Sequence, residues 1–191
     1  MDKTLERIMN SDNWPSIRLP DNLEILNEMA DKCYLTGTFE GMLSGTLMYH
    51  QILEAMCIHI IEDCNFFIQL SVYPSQIDFK VPEDRMFGYY IGQLKSSVSF
   101  LNKNEFIEKT EVLNFYRKDV VHKMRKSNLP ELALELKKVK DCFDSIYNLY
   151  NEIQDNFRVT FHSLQKDIFI VYLSDEEYNK CLRSKKVKNI I

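Results

Sequence analysis

The chain has 191 residues, 45% of them hydrophobic and 27% charged, a balance that excludes a disordered chain and suits one globular domain rather than two ordinary ones. Lys and Arg number 24 against 28 Asp and Glu, a formal charge of −4. That excludes a protein that coats nucleic acid by overall electrostatics, because phosphate neutralisation needs clustered cations.

The predicted organisation is a single domain over residues 1–191: an N-terminal arm over 1–20, a core from about 21 to 157, and a C-terminal extension over 166–191. In the arm, Trp14-Pro15 and Leu19-Pro20 disfavour helix at the residue before each proline, so a short helical turn followed by an extended stretch is expected, anchored by Trp14. Asp21 is a plausible N-cap for a helix to about Tyr34, with Leu23, Leu26, Met29, Ala30 and Cys33 as its apolar stripe and Gly37 as its stop. A long helix is predicted from Thr38 to Leu70. Leu43, Leu47, His50, Glu54, Cys57, Ile61, Cys64 and Ile68 fall along it at alternating four- and three-residue steps.

His50 and Glu54 interrupt that seam one turn apart, so they either satisfy each other as a core pair or support a site. His59 lies off the seam and reads as exposed or as local packing. Gly41 and Gly45 mark a close helix crossing. Ser71 to Pro82 reads as a surface loop, and Pro82-Glu83-Asp84 as the start of a third helix carrying Phe87, Ile91, Leu94 and Val98. On that helix Gly88 and Gly92 leave room for another helix or a nucleic-acid backbone.

A turn at Asn102-Lys103-Asn104 leads into a fourth helix, closed by Asn128-Leu129-Pro130. The fifth carries an unbroken repeat of Leu132, Leu136, Val139, Phe143, Ile146, Tyr150, Ile153 and Phe157, and runs to about Gln165. This seam fits either the domain's own core or a subunit interface, with the core favoured at this chain length. The run Ile168-Phe169-Ile170-Val171-Tyr172-Leu173 is β-prone and reads as an edge strand, a buried tail or a partner-binding segment. A last short helix is expected after Ser174, followed by a basic tail around Lys185-Lys186-Val187-Lys188. The core is expected to contain Leu47, Cys57, Ile61, Ile91, Leu94, Leu136, Phe143 and Ile146.

Five cysteines, widely spaced and without a Cys-x2-Cys pair, fit free thiols in a reducing compartment and no zinc site. No signal-peptide run and no stretch approaching eighteen apolar residues is visible, so a cytoplasmic protein without a membrane partner is expected.

Chemistry concentrates in the fourth helix. Asn114-Phe115-Tyr116-Arg117-Lys118-Asp119-Val120-Val121-His122-Lys123-Met124 crowds a guanidinium, a carboxylate and an imidazole onto an element whose Phe106, Leu113, Val120 and Met124 supply a core face. Lys118, Lys123, Arg125 and Lys126 concentrate positive charge there. At about 100° per residue, Arg117 and His122 point about 140° apart. They meet only if the helix breaks or if a second copy of the chain completes the site. The same residues also fit a solvated helix end on which Asp119 pairs weakly with His122 or Lys123.

The Arg-x4-His on a late helix, preceded by a helix with Gly45-Thr46-Leu47-Met48-Tyr49-His50-Gln51-Ile52-Leu53-Glu54 and one with Met86-Phe87-Gly88-Tyr89-Tyr90-Ile91-Gly92-Gln93-Leu94-Lys95, resembles the HEPN superfamily over about residues 38–157. The resemblance implies an all-α bundle of about five main helices and a homodimer that brings two motif helices together. It implies an endoribonuclease needing no metal or other cofactor, acting as a toxin or phage-defence effector, with RNA as substrate and an antitoxin or regulatory protein as a further partner. Arg117 and His122 would be catalytic, and Asp119, Lys118, Tyr116 and Asn114 supporting. Lys118 departs from the family, in which Asn or another small polar residue often follows the Arg. A non-catalytic HEPN-like dimerisation or partner-binding module is the alternative. No nucleophile elbow, phosphate loop, zinc-protease helix or dinucleotide fingerprint is present.

Overall fold

The computed structural model describes residues 3–17, 22–82, 85–123 and 128–172, with side chains as far as residue 168. Asp21, Glu83, Asp84, Met124, Arg125, Lys126, the predicted last helix, Cys181 and the basic tail lie outside the described residues, as do Leu19 and Pro20. Within the described residues the chain is all-α: six helices and no strands. They are α1 (Lys3–Met9), α2 (Leu23–Leu35), α3 (Phe39–Val72), α4 (Phe87–Ser96), α5 (Lys103–Lys123) and α6 (Leu129–Tyr172), with two 3-10 turns, Ser11–Asn13 and Pro15–Ile17, between α1 and α2.

The arm is more helical than its prolines suggested. Trp14 does adopt the extended backbone that a following proline favours, with φ −75° and ψ 142°, but Pro15 then opens the second 3-10 turn, where its fixed φ suits a helical first residue. Trp14 is fully buried, its indole N–H donates to the Ile8 carbonyl at 3.1 Å, and its ring packs on Phe66, Phe161 and His162. It ties the arm to α3 and α6, as the sequence suggested.

α3 is the axis of the fold. Thr38 caps it, its hydroxyl accepting from the Gly41 N–H at 3.1 Å, because Thr38 is extended and the first-turn donors have no intrahelical partner. Gly37, at φ +67°, reverses the chain between α2 and α3 in a conformation that L side chains rarely adopt. Gly41 and Gly45 do mark a close crossing: a Cβ on Gly45 would lie 2.9 Å from the Ala30 carbonyl oxygen of α2, and one on Gly41 would collide with the Cys33 carbonyl and the Thr36 hydroxyl.

The predicted single seam along α3 is corrected by its surroundings. α2, α4, α5 and α6 all pack on it, so Ile52, Leu53, Met56 and Ile60 are buried beside Cys57, Ile61 and Cys64. Leu47, expected in the core, is 44% exposed, because α2 approaches the neighbouring Met42–Gly45–Thr46–Tyr49 side instead. Among the described residues α3 is long and apolar enough to cross a membrane by length and composition, and half of its most apolar stretch is buried in the fold. His59 is also buried rather than exposed: its Nδ1 meets the Tyr150 hydroxyl of α6 at 2.9 Å.

α4 begins at Phe87, later than the proline and acids predicted. The Tyr90 hydroxyl donates to the Pro82 carbonyl at 3.2 Å and accepts from the Arg85 N–H at 3.3 Å, tying both residues to the helix. Asn128 starts α6, its side-chain oxygen accepting from the Glu131 N–H at 3.0 Å. All eight residues of the predicted α6 repeat are buried, against helices of the same chain, so this seam serves the intramolecular core. The β-prone run does not form a strand: Ile168 through Tyr172 continue α6. The helix is already anchored there by Gln165, which donates to the Ile8 carbonyl at 2.7 Å, and by buried Ile168, and tertiary anchoring overrides a local β preference.

Candidate functional site

α5 runs unbroken from Lys103 to Lys123, so the Arg117-to-His122 segment does not bend to bring its ends together. Phe106, Leu113 and Val120 are buried as expected and fix the helix's rotation. With that rotation set, Asn114 is 8% exposed and Arg117 partly buried on the inward side, while Phe115, Lys118 and His122 are exposed. Phe115 and His122, seven residues apart, share one outer stripe to within about 20°. Tyr116 packs at the edge of the main core. Asp119 is engaged by Lys123 at 2.6 Å, and no hydrogen bond joins it to His122 among the described residues.

The inward side of α5 meets the polar interruption of α3. His50 is 5% exposed, and its Nε2 is buried without a hydrogen-bond partner among the described residues. The Phe87 ring of α4 lies edge-on to the imidazole, centroids 4.7 Å apart. Burial pushes the His50 pKa down to about 4, helped by the positive charges of Arg117 and Lys118 and opposed by the neighbouring Asn114 amide; the ring is therefore neutral near pH 7. Burial raises the Glu54 carboxyl, against the pull of Arg117. No hydrogen bond joins His50 to Glu54 among the described residues, and the positive charge of Arg117 bears on both.

Arg117 carries donors in reserve. Its Nε is buried without a partner, and its Nη2 reaches the Asn114 side-chain oxygen only at 3.5 Å, the outer limit of a hydrogen bond. A guanidinium so placed suits an oxyanion, which takes two parallel N–H donors. His50 is the site residue that the motif alone did not pick out. Its signal in the sequence was a polar pair on α3 at the level where α5 also turns polar, legible only once the two helices are known to face each other.

Beside this cluster, between α4 and α5, lies a cleft of about 400 Å³. Gly88 and Gly92 contribute one wall, and Asn114, Phe115 and Lys118 the other; Lys95 and Glu111, also in the lining, pair at 2.6 Å. A larger cleft of about 650 Å³ lies by α1 and α3, lined among others by Arg7, Glu62, Asn65, Gln69 and Phe79, and holds none of the motif residues. Among the described residues no group of three or more His, Cys, Asp or Glu side chains is placed to hold a metal ion. Cys57 and Cys64 are buried free thiols, and Cys33 and Cys142 are free and partly buried. No family model, no curated protein and no solved structure matches the chain.

Proposed function

We propose that the protein is a HEPN-type endoribonuclease that needs no metal, built as a homodimer and acting as a toxin or phage-defence effector. The observation that carries this reading is the division of α5. Arg117 faces inward with an unpartnered buried Nε, while His122 stands exposed about 140° away on an unbroken helix. Two copies related by a twofold axis on the His122 side of α5 would set two imidazoles around one cleft, which each Arg117 joins by swinging its guanidinium out from the inward side.

In that cleft His122 of one copy takes the proton of the ribose 2′-hydroxyl as its oxygen attacks phosphorus, and the second His122 protonates the departing 5′-oxygen. The products are a 2′,3′-cyclic phosphate and a 5′-hydroxyl. Arg117 holds the phosphate and stabilises its growing charge. Asn114 steadies Arg117, Tyr116 braces the helix against the core, and Lys118 adds positive charge. Asp119, held by Lys123, lends His122 no orientation in the free chain.

The engagement of Asp119 by Lys123 at 2.6 Å favours the second reading, a HEPN-like module that dimerises or binds a regulatory partner without catalysis. Incubating the protein with mixed cellular RNA in EDTA separates the two. Cleavage ending in cyclic phosphate, reduced 10²–10⁴-fold by His122→Ala and non-additively by Arg117→Ala in the double variant, supports the nuclease. No cleavage, or equal cleavage by wild type and His122→Ala, leaves the binding module.

A further inference from the structure

Glycine inside a helix costs about 0.5–1 kcal/mol relative to alanine, so each helical glycine calls for a reason. Gly41 and Gly45 have one in the close crossing with α2. Gly88 and Gly92 of α4 have none among the described residues, where a Cβ on either meets nothing within 4 Å. Both border the 400 Å³ cleft, a volume within the range of small-ligand sites. Opposite them stand Phe115, 63% exposed, and the cationic Lys118. Asn114, more than nine-tenths buried, also lines the cleft, and behind it lies the unpartnered Nε2 of His50.

We propose that the α4–α5 cleft is a nucleotide subsite for single-stranded RNA, in which a base stacks on Phe115, the sugar-phosphate backbone runs over Gly88 and Gly92, and Lys118 meets a phosphate. This rests on the reading of the chain as an RNA-acting protein and extends it to substrate class: duplex RNA keeps its bases stacked and would not present one to Phe115. Charge selects this occupant. Lys95 and Glu111 neutralise each other, which leaves Lys118 as the net charge of the lining, with the cationic Arg117 next to it in sequence. Asn114 supplies amide donors and acceptors for a base edge, and an exposed aromatic ring serves any base because every base has a π-face.

The test uses the full chain and a fluorescein-labelled twelve-nucleotide 2′-O-methyl RNA of mixed sequence, which lacks the attacking hydroxyl, read by fluorescence anisotropy. Wild type is expected to bind it, and Phe115→Ala to weaken binding about tenfold. Gly92→Leu fills the cleft and is expected to weaken binding at least as much, while its open Cβ position keeps the fold intact by circular dichroism. Duplex RNA of the same length is expected to compete poorly. Equal affinity in wild type and both variants overturns the proposal, as does no wild-type binding at roughly 100 μM protein. A dimer-to-monomer change in both variants by light scattering assigns the cleft to a second copy and also overturns it. Cleavage of natural RNA that Gly92→Leu leaves untouched removes only the subsite, whereas cleft-dependent binding without any cleavage removes only the nuclease reading.

Discussion

α3 carries two buried histidines, and its two flanks treat them differently. On the α6 flank His59 meets the Tyr150 hydroxyl at 2.9 Å, and four residues on, Asp63 accepts from the Gln154 side chain at 2.7 Å. On the α5 flank His50 keeps a buried Nε2 without a partner, and Arg117, whose charge bears on it, also has an unused donor. The same contrast runs through the glycines, since Gly41 and Gly45 are closed over by α2 whereas Gly88 and Gly92 stand open. Both flanks keep unpartnered buried atoms, Asp63 Oδ1 and Gln154 Oε1 on one and His50 Nε2 and Arg117 Nε on the other; what sets the α5 flank apart is the cleft beside it.

Substitutions sharpen that contrast. Gly41→Ala is expected to cost about 3 kcal/mol in urea unfolding, at the upper end of overpacking effects, because the Cys33 carbonyl that it strikes is backbone. Tyr150→Phe removes the hydroxyl from His59 and should cost about 1–3 kcal/mol, whereas His50→Leu should cost less, about 1 kcal/mol, because the ring gives up its bond with the Asn114 side chain while its buried Nε2 has none to lose. Equal losses for Tyr150→Phe and His50→Leu would erase the distinction between the flanks. At the small end, Gly88→Ala is expected to raise stability by up to about 1 kcal/mol, and a loss there would mean that α4 is already packed in solution.

The two flanks should also respond to pH in opposite senses. Burial pushes the Asp63 carboxyl up to about 8 from an ordinary 3.8. Its contribution to stability is complete below pH 3.8 and is lost as pH rises towards 8, because the unfolded carboxyl ionises first. The Asp63 Oδ1 and Gln154 Oε1 atoms are both buried without partners, which a protonated carboxyl would relieve. Asp63→Asn should therefore gain stability relative to wild type between pH 4 and 8 in thermal melts. His50 runs the other way: with its value pushed down to about 4 from 6.5, the neutral ring's contribution is intact above pH 6.5 and lost as pH falls towards 4. His50→Leu should flatten that acid-side loss. Parallel profiles for wild type and either variant would break the assignment for that group.

The sequence by itself determined the helices and most of the core. The α6 repeat from Leu132 to Phe157, the Thr38 start of α3 and the Gly41–Gly45 crossing were all legible, because helical periodicity and caps are local and a residue's face follows from its spacing. It also showed that Arg117 and His122 diverge on one helix, a matter of angle alone. Only the tertiary structure decided which faces are covered and by what. Leu47 repeats in step with the core yet is exposed, His59, which read as exposed or as local packing, is buried against Tyr150, and Ile168 to Tyr172, which read as strand, buried tail or partner segment, continue α6. The approach of His50 on α3 to Asn114 on α5, with the Arg117 charge bearing on both His50 and Glu54, lies beyond any spacing rule, because it joins residues more than sixty positions apart whose meeting depends on how two helices rotate against each other, and that rotation is set by the packing of the whole core.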